Sequence, residues 1–159
     1  MCIPTIIDAS AFGAVLDARG GTELRSWIDR GHGRVVYSND GGYWGELVKS
    51  GRMLELIEAY RRADLARLVD AASVRFAEES LIHVTTRSGA KDKPVLALAR
   101  ASGALVLCST DAALTNDFLD ARLMPKVGRR KRSAYPIDRS AADRHRFLRR
   151  RRCHQRRCS

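Results

Sequence analysis

The sequence predicts an α/β protein: a three-layer α/β/α sandwich around a central, mostly parallel sheet. Two observations carry this. Short apolar runs rich in β-branched residues alternate with longer segments of helical periodicity along the chain. Two of those runs, IPTII at 3–7 and ALVLC at 104–108, have no polar alternation, as expected of strands buried on both faces of a parallel sheet.

IPTIID, 3–8, reads as the first strand, with Pro4 near its start. Residues 9–18 and 22–30 read as helices parted by Gly20-Gly21; Leu24, Trp27 and Ile28 fall on one face of the second. Val35–Tyr37 is a second strand, closed by the turn residues SND. GGYWGELVKSG, 41–51, reads as a helix with Asp40 as its cap, and GRMLELIEAYRRAD starts another, with Met53, Leu56, Ile57 and Tyr60 as its stripe. Residues 63–73 fit either a helix or a short strand near Leu65–Val69. SVRFAEESLIHV, 73–84, is helical, and TTRSGAKDK, 85–93, is a polar loop. DKPVLALARASG is a helix with Pro94 in its first turn, where the missing N–H costs nothing, and Gly103 at its end. The strand 104–108 follows, then a helix over about 112–119 and an edge strand at 133–138. The body is expected to span residues 1–138, with 139–159 as a basic C-terminal helix or tail.

Charge is unevenly spread. Of 29 lysines and arginines, 14 lie in residues 126–159 together with only two acids, so that segment carries about +12 and the remainder is nearly neutral. Such a polycation points to a polyanionic partner, nucleic acid first and an anionic membrane surface second. No run approaches the roughly 20 apolar residues of a membrane span. The N-terminus lacks the basic region and cleavage site of a signal peptide, so the expectation is a cytoplasmic protein. Cys2 and Cys108 lie in apolar runs and read as core thiols. Cys153, His154 and Cys158 supply at most three ligands with no second pair, too few for a zinc site. His32, His83 and His145 are isolated. Asn39-Asp40-Gly41-Gly42 is not a phosphate loop, because no Gly-Lys-Ser/Thr follows.

The chemistry concentrates in acids at strand ends. In an open α/β sheet, functional groups gather beyond the carboxyl ends of the strands. Asp8 and Asp111 each close an apolar strand. Asp92 opens the helix that leads into the strand 104–108, and its return places it at the same edge. Glu46 lies on the helix after the second strand, with Glu55 and Glu58 as competitors. Carboxylates sharing a pocket repel one another, and a divalent cation relieves that repulsion. Oxygen-only ligation selects Mg²⁺ or Mn²⁺. Each acid also has an ordinary reading: Asp8, Asp92 and Asp111 as helix caps, Glu46 as a solvated helix residue.

These blocks together, IIDAS, the glutamate of YWGELVKSG, DKPVLALARASGALVL and CSTDAAL, resemble the signature blocks of PIN-domain nucleases, over roughly residues 3–120. The resemblance extends to stand-alone PIN-like proteins with basic C-terminal ends more closely than to the shortest VapC-type toxin nucleases. It implies a metal-dependent endoribonuclease in which Asp8, Glu46, Asp92 and Asp111 are the catalytic, Mg²⁺- or Mn²⁺-binding acids. Ser109 or Thr110 would orient the last acid, and Asp117 would be an additional member. It further implies RNA as substrate, an antitoxin protein as partner where the protein is a toxin, and homodimers, which are frequent among such relatives. The basic segments would hold RNA over the acidic pocket, with Tyr135 and Phe147 either stacking on bases or pinning the tail to the body. One departure is Lys91, where the family often has Asn; with Lys93 it flanks Asp92 with cations that would attract phosphate or replace part of the metal's charge. Two other readings remain open: a non-catalytic RNA-binding module of the same fold, and a receiver-like signalling domain. The latter normally pairs two adjacent acids after its first strand, where IIDAS has one.

Overall fold

The computed structural model describes residues 2–17 and 20–152. Its five strands are β1 (Ile3–Ile7), β2 (Gly33–Tyr37), β3 (Ala66–Leu68), β4 (Val106–Cys108) and β5 (Ser133–Ala134). They form one sheet in the order β3-β2-β1-β4-β5, with every pairing parallel. The expected α/β/α layering is thus present, with a sheet that is parallel throughout. The apolar runs behave as their composition demands: Ile6, Ile7, Val106, Leu107 and Cys108 are all essentially inaccessible.

The helices are α1 (Ala9–Leu16), α2 (Thr22–Asp29), α3 (Gly41–Val48), α4 (Gly51–Arg62), α5 (Ala71–Leu81), α6 (Lys93–Ser102), α7 (Ala112–Leu119) and α8 (Ala141–Arg149). α6 packs on α3, α5 and α7, whereas α2 packs on α1 and α8. Local signals set most ends. Asp40 Oδ1 accepts from Gly41 N–H at 2.8 Å, Ser50 caps α4, and Gly103 closes α6 at φ 68°.

Tertiary pairing decided the ambiguous stretch 63–73. Ala66–Leu68 pairs with β2 as a strand, and Asp70 caps α5, which therefore starts ahead of the expected Ser73. The edge strand expected over 133–138 is only two residues long, because Pro136 cannot donate to a ladder. Tyr135 and Ile137 beyond it are buried as core instead.

The C-terminal helix α8 is docked on the body. Arg144 pairs with Glu23 of α2 at 3.0 Å, and Trp27 Nε1 donates to the Arg151 carbonyl at 2.9 Å. Phe147 meets Tyr135 edge-on at 5.9 Å, so the two aromatics pin α8 to the sheet, one of the two roles expected of them. Cys153, His154 and Cys158 lie outside the described residues. No helix among the described residues is long and apolar enough to cross a membrane.

Candidate active site

Strand order reverses at β1: β2 and β3 lie to one side, β4 and β5 to the other. The switch point between β1 and β4 is where open α/β sheets bind ligands. Ile7 pairs with Cys108 there, so Asp8 and Ser109 emerge side by side at the carboxyl edge. A cavity of about 220 Å³ opens at this edge. Asp8, Glu46, Asp92 and Asp111 all line it, together with Ser10 and Lys91. The structure therefore brings all four sequence-predicted acids to one pocket, and neither Glu55 nor Glu58 is part of its wall.

Their carboxylates are deployed differently. All three aspartates occupy helix N-cap positions, where a side-chain oxygen ordinarily accepts from the first turn. Only Asp111 caps, its Oδ1 accepting from Leu114 N–H at 3.1 Å. Asp8 and Asp92 make no side-chain cap bond. Asp8 instead accepts on Oδ2 from Ser10 Oγ at 2.6 Å and from Ser109 Oγ at 2.9 Å, and it is 7 % exposed. Asp92 Oδ2 is buried with no hydrogen-bond partner. The Asp92 carboxyl is pushed up to about 6, first by burial and then by the charges of Asp111 and Asp8, with Lys91 pulling weakly the other way.

A buried, unpartnered carboxylate oxygen facing two further aspartates is costly in the absence of a cation. The donor set is oxygen-only and suits a hard divalent ion. Among the described residues, no three acidic, histidine or cysteine side chains converge closely enough to ligate one ion as they stand. Glu46 Oε1 is held by Lys49 Nζ at 2.7 Å, in an exposed i,i+3 pair at the end of α3 that holds little energy.

Ser109 ties the first and last acids together. Its hydroxyl donates to Asp8 and accepts the Asp111 backbone N–H at 3.0 Å. Thr110, the other residue considered for that task, is exposed and contacts Ser10. Ser10 is the residue that sequence reasoning missed. It bonds Asp8, lies 3.3 Å from Ser109 Oγ and accepts from Thr110 N–H at 3.2 Å. The available signal was its place two residues after a strand-end acid. Tyr43 was also missed; its buried hydroxyl donates to the Ile7 carbonyl at 3.1 Å and backs the pocket wall.

Asp117 is not part of the pocket. Fully buried, it accepts from the N–H groups of Arg87 and Ser88 at 3.0 and 2.8 Å and from Ser88 Oγ at 2.7 Å. It anchors the loop that leads to Asp92. Burial alone would raise its carboxyl, but the bonds from Ser88 and Arg87 outweigh that and hold it below the ordinary carboxylate range. The two lysines beside Asp92 also part company. Lys91 lines the pocket, whereas Lys93 Nζ donates to the Ile82 carbonyl at 3.0 Å, so only Lys91 is placed to meet a phosphate.

Among the described residues, the basic segments around 122–132 and the end of α8 do not overhang the pocket as expected. α6 runs from the acidic edge to Ser102 at the opposite edge, and there Arg100 bonds the Leu123 carbonyl while Val127 packs on Gly103. Arg151 Nη2 reaches Ser133 Oγ at the start of β5. Residues 122–132 and the end of α8 therefore sit at the amino edge of the sheet, because parallel strands all begin there. No family model, curated protein or solved structure matches this chain.

Proposed function

We propose that this protein is a metal-dependent endoribonuclease of the PIN type, with Asp8, Asp92 and Asp111 as the principal Mg²⁺ or Mn²⁺ ligands and Glu46 completing the set. The observation that carries the reading is Asp92: an acid at a helix-cap position that declines to cap, keeps a buried oxygen unpartnered and faces two more carboxylates across a 220 Å³ cavity. The sequence blocks that resemble PIN nucleases supply the reaction class.

A divalent cation bound there offsets the carboxylate repulsion, neutralises charge on a phosphodiester and lowers the pKa of a water molecule. The chain's own residues do the rest. Ser10 and Ser109 fix one oxygen of Asp8, and the Leu114 N–H fixes one oxygen of Asp111, so both present a defined face to the cavity. Lys91 at the rim attracts the phosphate. Glu46, whose exposed lysine partner holds it only weakly, would be the fourth residue to hold the ion. The reaction is hydrolysis: water attacks phosphorus and the ribose oxygen leaves.

The test is cleavage of mixed-sequence RNA with Mn²⁺, with Mg²⁺ and with EDTA, for wild type, Asp8→Asn and Asp92→Asn. Metal-requiring cleavage that disappears in both variants supports the proposal. Absence of cleavage with either metal, alongside salt-sensitive RNA binding that survives both substitutions, rejects it in favour of a non-catalytic binding module.

A further inference from the structure

At the amino edge of the sheet, opposite the acidic pocket, the C-termini of α2 and α8 meet over a crevice of about 150 Å³. Arg30, Arg149 and Arg152 line it, with His32, His145 and Ser26. The inward arginines of this region are satisfied: Arg144 pairs with Glu23, and Arg151 lies 3.7 Å over the Phe147 ring. Arg30, Arg149 and Arg152 have no ion pair among the described residues. Glu23 also reaches the crevice, but its charge is already matched by Arg144 at 3.0 Å.

Helix dipoles do not account for this arrangement. Two helix C-termini contribute about half a negative charge each, roughly one unit together. Three guanidinium groups leave an excess of about two positive charges in a recess, before either histidine is protonated. Like charges gathered without a counter-charge are destabilising unless an anion joins them.

We propose that the α2–α8 crevice is a docking site for the phosphate backbone of single-stranded RNA, separate from the pocket that cleaves it. The choice of RNA rests on the ribonuclease reading; the cationic crevice does not. Three features favour this ligand. Guanidinium forks match phosphate oxygens in pairs, and residues 126–152 carry ten arginines against two lysines. The arginines flank a recess between two helices, which a strand can enter and a flat bilayer surface cannot. Lys126, Arg129, Arg130 and Lys131 continue the positive surface along the same edge, around a second cavity of about 540 Å³. β1 has five residues, so the two sites are separated by roughly 17 Å of strand. A strand held at the crevice must wrap the molecule to reach Asp92, so affinity and cleavage are carried by different residues.

The experiment is fluorescence anisotropy of a labelled mixed-sequence single-stranded RNA in EDTA, across a salt series, for wild type and Arg30→Ala/Arg149→Ala. Both positions are exposed, so the variant keeps the fold, as circular dichroism would show. Each single-strand phosphate contact contributes about 0.7 to the slope of log K against log salt. Losing two lowers the slope by about 1.4 and the affinity at 0.15 M salt by about tenfold. The control is Arg61→Ala/Arg62→Ala, which removes the same charge from arginines already paired with Glu58, and which should change binding much less. Unchanged affinity and slope in the crevice variant, or an equal loss in the control, overturns the proposal. So does a crevice variant that loses binding to phosphatidylglycerol vesicles while keeping RNA. A wild-type protein that binds RNA through the crevice yet cleaves nothing with Mn²⁺ supports the docking site and refutes the nuclease.

Discussion

Replacing Asp92 with asparagine should stabilise the protein while abolishing its chemistry. The Asp92 carboxyl is raised from 3.8 to about 6, by burial first and by Asp111 and Asp8 next. A carboxylate whose folded-state pKa lies above its unfolded value favours the fold only in its protonated form. Stability therefore falls as pH rises from about 4 to about 6 and stays at the lower level above that. Two pH units correspond to roughly 3 kcal/mol. Asp92 is itself only half-buried, and screening by solvent reduces that to about 1 kcal/mol. Asparagine mimics the protonated form, so Asp92→Asn should be about 1 kcal/mol more stable than wild type at pH 8, roughly 2–4 °C in Tm. The gap should close near pH 4. Adding Mg²⁺ at 100 times its Kd should stabilise wild type by about 2.7 kcal/mol and the variant much less, reversing their order. Thermal unfolding at both pH values, with EDTA and with Mg²⁺, reads all three effects. A variant less stable than wild type at pH 8 in EDTA, or a gap unaffected by acid, would refute the idea that neighbouring carboxylates strain this site.

Ser109→Ala removes a bond to Asp8 and another from the Asp111 N–H; cleavage should fall about 10- to 100-fold, with weakened Mn²⁺ dependence as the sign that it acts by positioning the acids. Asp117→Asn should cost about 2–3 kcal/mol in urea unfolding, because a buried carboxylate that accepts from Arg87 and Ser88 loses its charge. Since Asp117 is held low, its stabilising effect is present above about pH 4 and lost as pH falls below it, so the variant should lack part of the wild type's acid lability. Gly42→Ala places a Cβ 2.5 Å from Pro94 Cγ and should cost about 1–3 kcal/mol by forcing α3 from α6 at the pocket mouth. Gly45→Ala, on the same helix with open space around it, should instead stabilise by about 0.5–1 kcal/mol, and the pair measured together isolates the clash from the propensity.

Fold class, most of the elements and the acids Asp8, Asp92 and Asp111 were legible in the sequence from local physics, whereas only the resemblance singled out Glu46 from Glu55 and Glu58. IPTII and ALVLC carry the composition of strands buried on both faces. Pro94 and Gly103 mark the ends of α6 by backbone geometry, and a chain that alternates strand and helix returns successive strands in parallel. The strand-end acids follow from that return: once β1 and β4 are parallel neighbours, Asp8 and Asp111 must share an edge.

What the tertiary structure decided are relations between residues distant in the chain. Within 63–73, Ala66–Leu68 became a strand because β2 offered a free edge. Asp117, the fifth acid that the resemblance offered, turned to the 87–88 backbone, since those amides needed a buried acceptor. Lys91 and Lys93 have equal charge and adjacent places, yet one faces the pocket and the other the Ile82 carbonyl. The largest difference is the polycation itself. The sequence suggested a polyanionic partner for it, but charge has no address in a sequence. The docking of α8 on α2, through Arg144, Phe147 and the Trp27–Arg151 bond, put Arg149 and Arg152 at the amino edge of the sheet, away from the acids they were expected to serve.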